Sequence, residues 1–257
     1  MNQKNAHALK LFLDAKVIEY NTKKFIERDP ISVPHRFSKK QDIEIAALFA
    51  AVFAWGNRTT IINKSNELMA LMDDAPYEFI VHHQEADLKR FLHFKHRTFN
   101  ATDLYYFISF LQFHYSQHKS LEEAFFLTGT SSMRESLIHF RNYFFSLEHA
   151  ERTKKHISTP AKNSACKRIN MFLRWMVRKD ENGVDFGVWN KFTPSQLICP
   201  MDVHVSNVAS RLGLIPENIA NWKSAELLTK KLLEFDSEDP VKYDFALFGL
   251  GAEERMR

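Results

Sequence analysis

Gln41-Asp42-Ile43-Glu44-Ile45-Ala46-Ala47-Leu48-Phe49-Ala50-Ala51-Val52-Phe53-Ala54-Trp55 is the stretch that decides the fold class. It is alanine-rich and apolar almost all round, the pattern of a helix buried on every side rather than one with a solvent face. Gly56-Asn57 behind it reads as a C-terminal cap. The unbroken apolar part, Ile45 to Trp55, is too short to span a bilayer, which needs ~20 residues.

Outward from this helix the 3.6-residue periodicity recurs to both ends of the chain, with no convincing strand hairpin. Toward the N-terminus, Ala6 to Glu27 reads as one helix, followed by a loop punctuated by Pro30 and Pro34. Toward the C-terminus, helices are expected over Thr59–Met72, Glu85–Phe94 and Thr102–Gln117. Ser131 or Ser132, with Glu135 behind it, offers a capping box for a helix over Leu137–Leu147. Glu148 to Asn163 is a basic, proline-containing connector. Helices then follow over Ser164–Arg178, Asp202–Leu212, Trp222–Phe235 and Pro240–Leu250, with a loop from Asp180 to Pro200. The expectation is an all-α protein of two helical lobes. One lobe covers about 41–150; the other covers about 151–257 and packs with the N-terminal helix.

Composition narrows the function classes. The 257 residues are 45% hydrophobic and 26% charged, ordinary for a globular chain and wrong for a disordered one. Only 7 are glycine, where average usage gives ~18. Neither G-x-x-x-x-G-K-[ST] nor G-x-G-x-x-G occurs, which removes the P-loop and Rossmann readings. Two cysteines, Cys166 and Cys199, cannot alone build a disulfide scaffold, a four-thiolate zinc site or an iron–sulfur cluster. Met1 to Lys10 holds no apolar signal core, so a cytosolic, non-membrane protein is expected. The 23 phenylalanines sit mostly at helical spacing among Leu and Ile, as core residues do.

Net charge is +4, but its distribution says more than its sum. Arg152 to Lys179 holds nine Lys or Arg and no Asp or Glu; Glu217 to Asp244 holds seven acidic residues against four basic. A basic block inside a folded region is the footprint of a polyanion partner, or simply a solvated face. Within it, Lys167 stands in the opening turn of a helix, where the dipole disfavours a cation and pushes its pKa down, toward the neutral amine a Schiff-base nucleophile needs. Lys167, Arg174 and Arg178 share one stripe of that helix, which a wet face or phosphate contacts would explain equally. Asp202, in Cys199-Pro200-Met201-Asp202-Val203-His204, stands at the N-cap of the next helix. A cap needs no further purpose, yet a carboxylate held ionised by amides also suits stabilisation of a developing positive charge. No metal-ligand pairing is visible, and Cys199 with His204 is too sparse to make one.

Three segments together resemble the helix-hairpin-helix (HhH-GPD) DNA glycosylases. Ile45 to Arg58 is similar to the buried helix near their start and the turn leaving it. Cys199 to Leu214 resembles their Val-Pro-Val-Asp-x-His segment, whose aspartate is catalytic. Ser164 to Val177 is similar to the helix bearing the lyase lysine. Lys167 and Asp202 lie 35 positions apart, a spacing closest to the archaeal-type 8-oxoguanine glycosylases. Cys166 to Met176 and Asp239 to Gly251 further resemble an uncharacterised bacterial family attached to that superfamily. The chain departs from the superfamily in two places. Lys162-Asn163-Ser164-Ala165-Cys166 stands where the phosphate-gripping Leu-Pro-Gly-Val-Gly hairpin is usual, and Gly56-Asn57 stands where a glutamine probes the DNA.

The resemblance implies a two-lobed fold with duplex DNA held in the cleft between lobes, a monomer by default, and excision of a flipped, damaged base of the oxidised-purine class. Lys167 and Asp202 are then the catalytic pair, and Lys167 confers abasic-site lyase activity. Asn57, Arg58, Lys162, Arg168 and Arg174 are the candidate DNA contacts, and Trp222, Phe245 and Phe248 the candidate walls of the base pocket. No cofactor or metal is implied. The alternative reading is a non-catalytic DNA- or damage-binding protein on the same fold.

Overall fold

The structure, a computed structural model, describes residues 3–130 and 132–254; Ser131, one of the two expected caps, lies outside the described residues. The protein is mostly helical: α1 (Gln3–Tyr20), α2 (Lys23–Ile26), α3 (Lys40–Phe53), α4 (Arg58–Leu71), α5 (Pro76–His82), α6 (Ala101–Tyr115), α7 (Glu122–Phe125), α8 (Met133–Phe144), α9 (Lys167–Val177), α10 (Val203–Arg211), α11 (Trp222–Leu233) and α12 (Tyr243–Ala252). Short 3-10 turns fill many of the connections, including Glu85–Phe91, Glu151–His156 and Pro160–Lys162. None of the described helices is long and apolar enough to cross a membrane.

The chain divides into two compact units. One comprises Met1–Phe25, Ser131–Met133 and Thr159–Arg257; the other comprises Ile26–Thr130 and Arg134–Ser158. In the second unit α3 is the buried helix that its sequence demands, with every residue from Asp42 to Phe53 buried. Phe53 packs on Phe94 at 5.7 Å and on Phe99 at 5.0 Å, and Phe49 on Phe107 at 5.7 Å. The aromatic chain continues through Phe144, 4.8 Å from Phe107, so the phenylalanines here are core. Within α3 the carboxylate of Glu44 is fully buried. It accepts hydrogen bonds from Tyr115 Oη at 2.9 Å, the Leu121 amide at 3.0 Å and the Ser120 hydroxyl, which tie the loop after α6 to α3.

The first unit is built on α1, α10, α11 and α12 around a core that includes Leu13, Val17, Val205, Val208, Leu228, Leu232 and Leu247. Helices α1 and α12 approach so closely that a Cβ on Gly249 would lie 2.3 Å from the Tyr20 ring.

Several boundaries differ from the sequence reading, each for a local reason. The N-terminal helix stops at Tyr20 rather than Glu27, because Asn21 is recruited elsewhere. Its Nδ2 donates to Asp180 at 2.5 Å and its carbonyl accepts from Asn182 at 2.8 Å. Gly56-Asn57 does not cap α3. Ala54 ends that helix, and Asn57 instead caps α4 by accepting the Thr60 amide at 3.1 Å. A two-stranded hairpin, β1 (Lys95–His96) with β2 (Phe99–Asn100), stands where no strand was expected, and α5 was missed as well. Both are too short to show a period.

Candidate active site

The Lys167 end of α9 forms without glycine. Thr159 caps the Pro160–Lys162 turn by accepting the Ala161 amide at 3.3 Å, after which Asn163 (φ 54°) and Cys166 (φ 51°) take left-handed conformations. Asparagine adopts that region with little strain; a cysteine there costs about 1–2 kcal/mol. The turn is held by its neighbours: Ser164 pairs antiparallel with Asn221, the Trp222 amide donates to Asn163 O at 3.2 Å, and Asn170 Nδ2 donates to Ala165 O at 3.0 Å. Packing and side chains thus set the bend that two glycines would otherwise set by themselves.

Lys167 is the first residue of α9, as its sequence position predicted. It is half-buried, its ammonium lies 3.4 Å from Met171 Sδ, and it makes no ion pair among the described residues. Asp202 is the N-cap of α10, also as predicted. Its Oδ1 accepts the His204 amide at 2.9 Å and the Val205 amide at 3.0 Å, while Oδ2 has no hydrogen-bond donor among the described residues. One carboxylate oxygen is therefore used by the helix and one is left over.

The charges of both residues are felt at Asp244, which the sequence reading missed. It lies in the first turn of α12, is 5% exposed, and pairs with the Arg174 guanidinium. Burial pushes its carboxyl up to about 6; the positive charges of Arg174 and Lys167 pull against that, and the negative charges of Asp202 and Asp185 add to it. Asp202 and Asp244 likewise act together on the buried Cys199, whose thiol burial holds well above its usual range. Cys199 is an inert core residue here.

Arg174 corrects the expectation of a phosphate contact. It is 3% exposed, its guanidinium is shared between Asp244 and Asp185 (Nη2 to Oδ1, 3.3 Å), and it lies 4.2 Å above the Phe245 ring. Arg178, on the same stripe, is equally buried. It pairs with Asp185 at 3.1 Å, with Asp239 at 2.8 Å and with Asp180. The stripe is no wet face, because four carboxylates from the loop after α9 and from the C-terminal segment close over it. The basic block and the later acidic block of the sequence neutralise each other in part, and their complementary signs were the available signal.

Phe245 is corrected too. It is 1% exposed, covered by Arg174 and edge-on to Phe25 at 5.3 Å, so it supports the ion network instead of lining a pocket. Trp222 is also buried, at 3% exposure, with its indole Nε1 unpartnered among the described residues, and its backbone holds the turn before α9. Phe248 is half-buried beside Phe25. Lys162 is exposed, and Arg168 is half-buried, with desolvation pulling its guanidinium below the usual range. Asn57 and Arg58 belong to the other unit, Asn57 exposed as the cap of α4 and Arg58 half-buried as its first residue.

No curated protein and no solved structure matches the chain significantly. One family model does, over residues 29–253, a span that takes in Lys167, Asp202 and Asp244 together with all of α3 to α12. The chain therefore belongs to the family described as Protein of unknown function (DUF2400).

Proposed function

We propose that the protein is a DNA base-excision glycosylase with abasic-site lyase activity, resembling the helix-hairpin-helix glycosylases and their archaeal-type 8-oxoguanine branch. The observation that carries this reading is the placement of the two residues: Lys167 heads α9, half-buried and with no ion pair among the described residues, and Asp202 caps α10 through Oδ1 alone. Among the described residues Lys167 has no ion-pair partner and one Asp202 oxygen has no donor, and the charges of both act on the buried Asp244. That combination suits a reaction in which positive charge develops on a sugar.

In the proposed reaction Lys167 Nζ bonds to the sugar C1′ through its lone pair as the C1′–N bond to the base breaks. The base leaves with the electron pair and takes up the proton that the attacking nitrogen gives up. Asp202 Oδ2 faces the cationic sugar, while Oδ1 keeps the side chain fixed at the helix cap. Opening of the sugar ring converts the adduct to an imine, which permits strand cleavage.

Borohydride, which reduces such an imine to a stable amine, tests the proposal on duplex DNA containing an abasic site. The wild type is expected to give a covalent protein–DNA adduct and Lys167→Ala none. An adduct of equal yield from Lys167→Ala, or no adduct from the wild type, refutes the lyase. Asp202→Asn keeps a capping oxygen and is expected to lose base release on a panel of lesions; unchanged release reduces Asp202 to a cap.

A second reading, a DNA- or damage-binding protein without turnover, draws support from the glycine-free turn before α9 and from the cap that already accounts for Asp202 Oδ1. It expects salt-sensitive duplex binding with no adduct.

A further inference from the structure

We propose that Arg97, at the tip of the β1–β2 hairpin, is a contact for a nucleic-acid backbone phosphate. The inference rests on the DNA reading above and extends it to the unit that holds neither Lys167 nor Asp202.

The hairpin turn is Arg97-Thr98, and Arg97 sits at φ 55°. Asn or Gly fills that position with little strain, whereas a long side chain there costs about 1–2 kcal/mol. The turn therefore gains nothing in backbone energy from an arginine. Its side chain is seated with care. The guanidinium lies 4.2 Å from the centre of the Trp55 ring, and its Nη1 occupies the space where a Cβ of Gly56 would come within 2.3 Å. Gly56, itself at φ 110°, leaves that seat open.

The hairpin is also braced from behind. Arg152 donates through Nη2 to Thr98 O at 2.7 Å, and through Nη1 to Asn100 Oδ1 at 2.6 Å and Asp103 Oδ2 at 2.7 Å. Asp103 is fully buried and also accepts from Thr153 Oγ1 at 2.9 Å. On the other strand His96 Nε2 is 3.1 Å from Phe53 O at the end of α3. A rigid two-residue tip thus presents one exposed arginine, with no carboxylate pairing to it among the described residues.

One exposed neighbour shares its sign, and a second, Lys64, is paired with Glu67 at 2.7 Å. Lys95 is exposed on the hairpin, and the charges of Lys64 and Arg97 are both felt at His96, where with burial they hold the imidazole below its usual range. Trp55 and Gly56 lead directly into Asn57 and Arg58, the segment whose sequence suggested DNA probing. A guanidinium flat on an indole uses its face there and keeps its N–H rim for a planar, bidentate oxyanion. The hairpin is too short to show in sequence periodicity, which is why Arg97 escaped the first reading.

The test is equilibrium binding of the full chain to a fluorescent duplex carrying a stable abasic analogue, measured across salt concentrations. Arg97→Asn suits the left-handed turn, so the hairpin survives. It is expected to weaken binding about tenfold at low salt and to lower the slope of log K against log salt by about 0.9, one phosphate contact. Arg97→Lys should keep the slope but lose affinity several-fold, since it keeps the charge and loses the fork. Wild-type binding with Arg97→Asn unchanged in both affinity and slope overturns this inference and leaves the DNA reading intact. Failure of the wild type to bind the duplex at any salt overturns both.

Discussion

Asp244→Asn gives the sharpest test of the buried cluster, because the prediction is a pH dependence rather than a single stability. In the folded protein Asp244 titrates at about 6, against an ordinary value of 3.8. Between those values the native state binds a proton that the unfolded chain has released, so stability falls as pH rises through the window. A shift of about two units is worth about 3 kcal/mol, all of it felt above pH 6. Asparagine does not titrate, so the stability of the variant relative to wild type should move in its favour by up to about 3 kcal/mol between pH 4 and 7. The attraction between Arg174 and the ionised Asp244 is already contained in that titration, and only the change in hydrogen bonding from carboxyl to amide adds an offset that does not change with pH. Asp185 and Asp239, also raised by burial, are present in both proteins. Arg174, relieved of Asp244, holds Asp185 lower, which acts in the same direction. Urea unfolding of both proteins at four or more pH values measures the difference, and the carboxyl carbon resonance of Asp244 gives its titration directly. Two unfolding curves that stay parallel within about 0.5 kcal/mol from pH 4 to 7, with the resonance titrating near 4, would refute the buried-acid reasoning.

Two further outcomes are expected. Asp202→Ala removes a cap that satisfies two amides and should cost about 1 kcal/mol in chemical unfolding; Asp202→Asn should cost less, so the pair separates the cap from any chemistry. Gly249→Ala drives a methyl into the Tyr20 ring, which Glu254 anchors through a 2.7 Å hydrogen bond. It should lower stability by about 1–3 kcal/mol, seen as a lower thermal midpoint, and a midpoint equal to wild type would mean that α1 and α12 are less tightly apposed.

Much of the architecture was legible in the sequence. An apolar run with helical spacing has few ways to satisfy its backbone except as a buried helix, so α3 was readable, and Asp202 at a helix start declared itself through local capping chemistry. Lys167 at the head of α9 was readable for the same local reason. The hairpin, α5 and the left-handed Cys166 were not, since none spans enough residues to impose a period or uses the expected glycine.

The sequence by itself determined most of the long helices, because hydrophobic period, caps and breakers act over a few residues, while ends such as that of α1 at Tyr20 were set by partners from elsewhere in the chain. Only the tertiary structure decided which charges are free. Arg174 and Arg178 look like Arg97 in the sequence, yet Asp244 and Asp239 reach the first two from 70 and 61 residues away and help to bury them, while Arg97 remains on an indole at the surface. Ion pairing depends on distance in space, and the chain order of the partners carries no record of it.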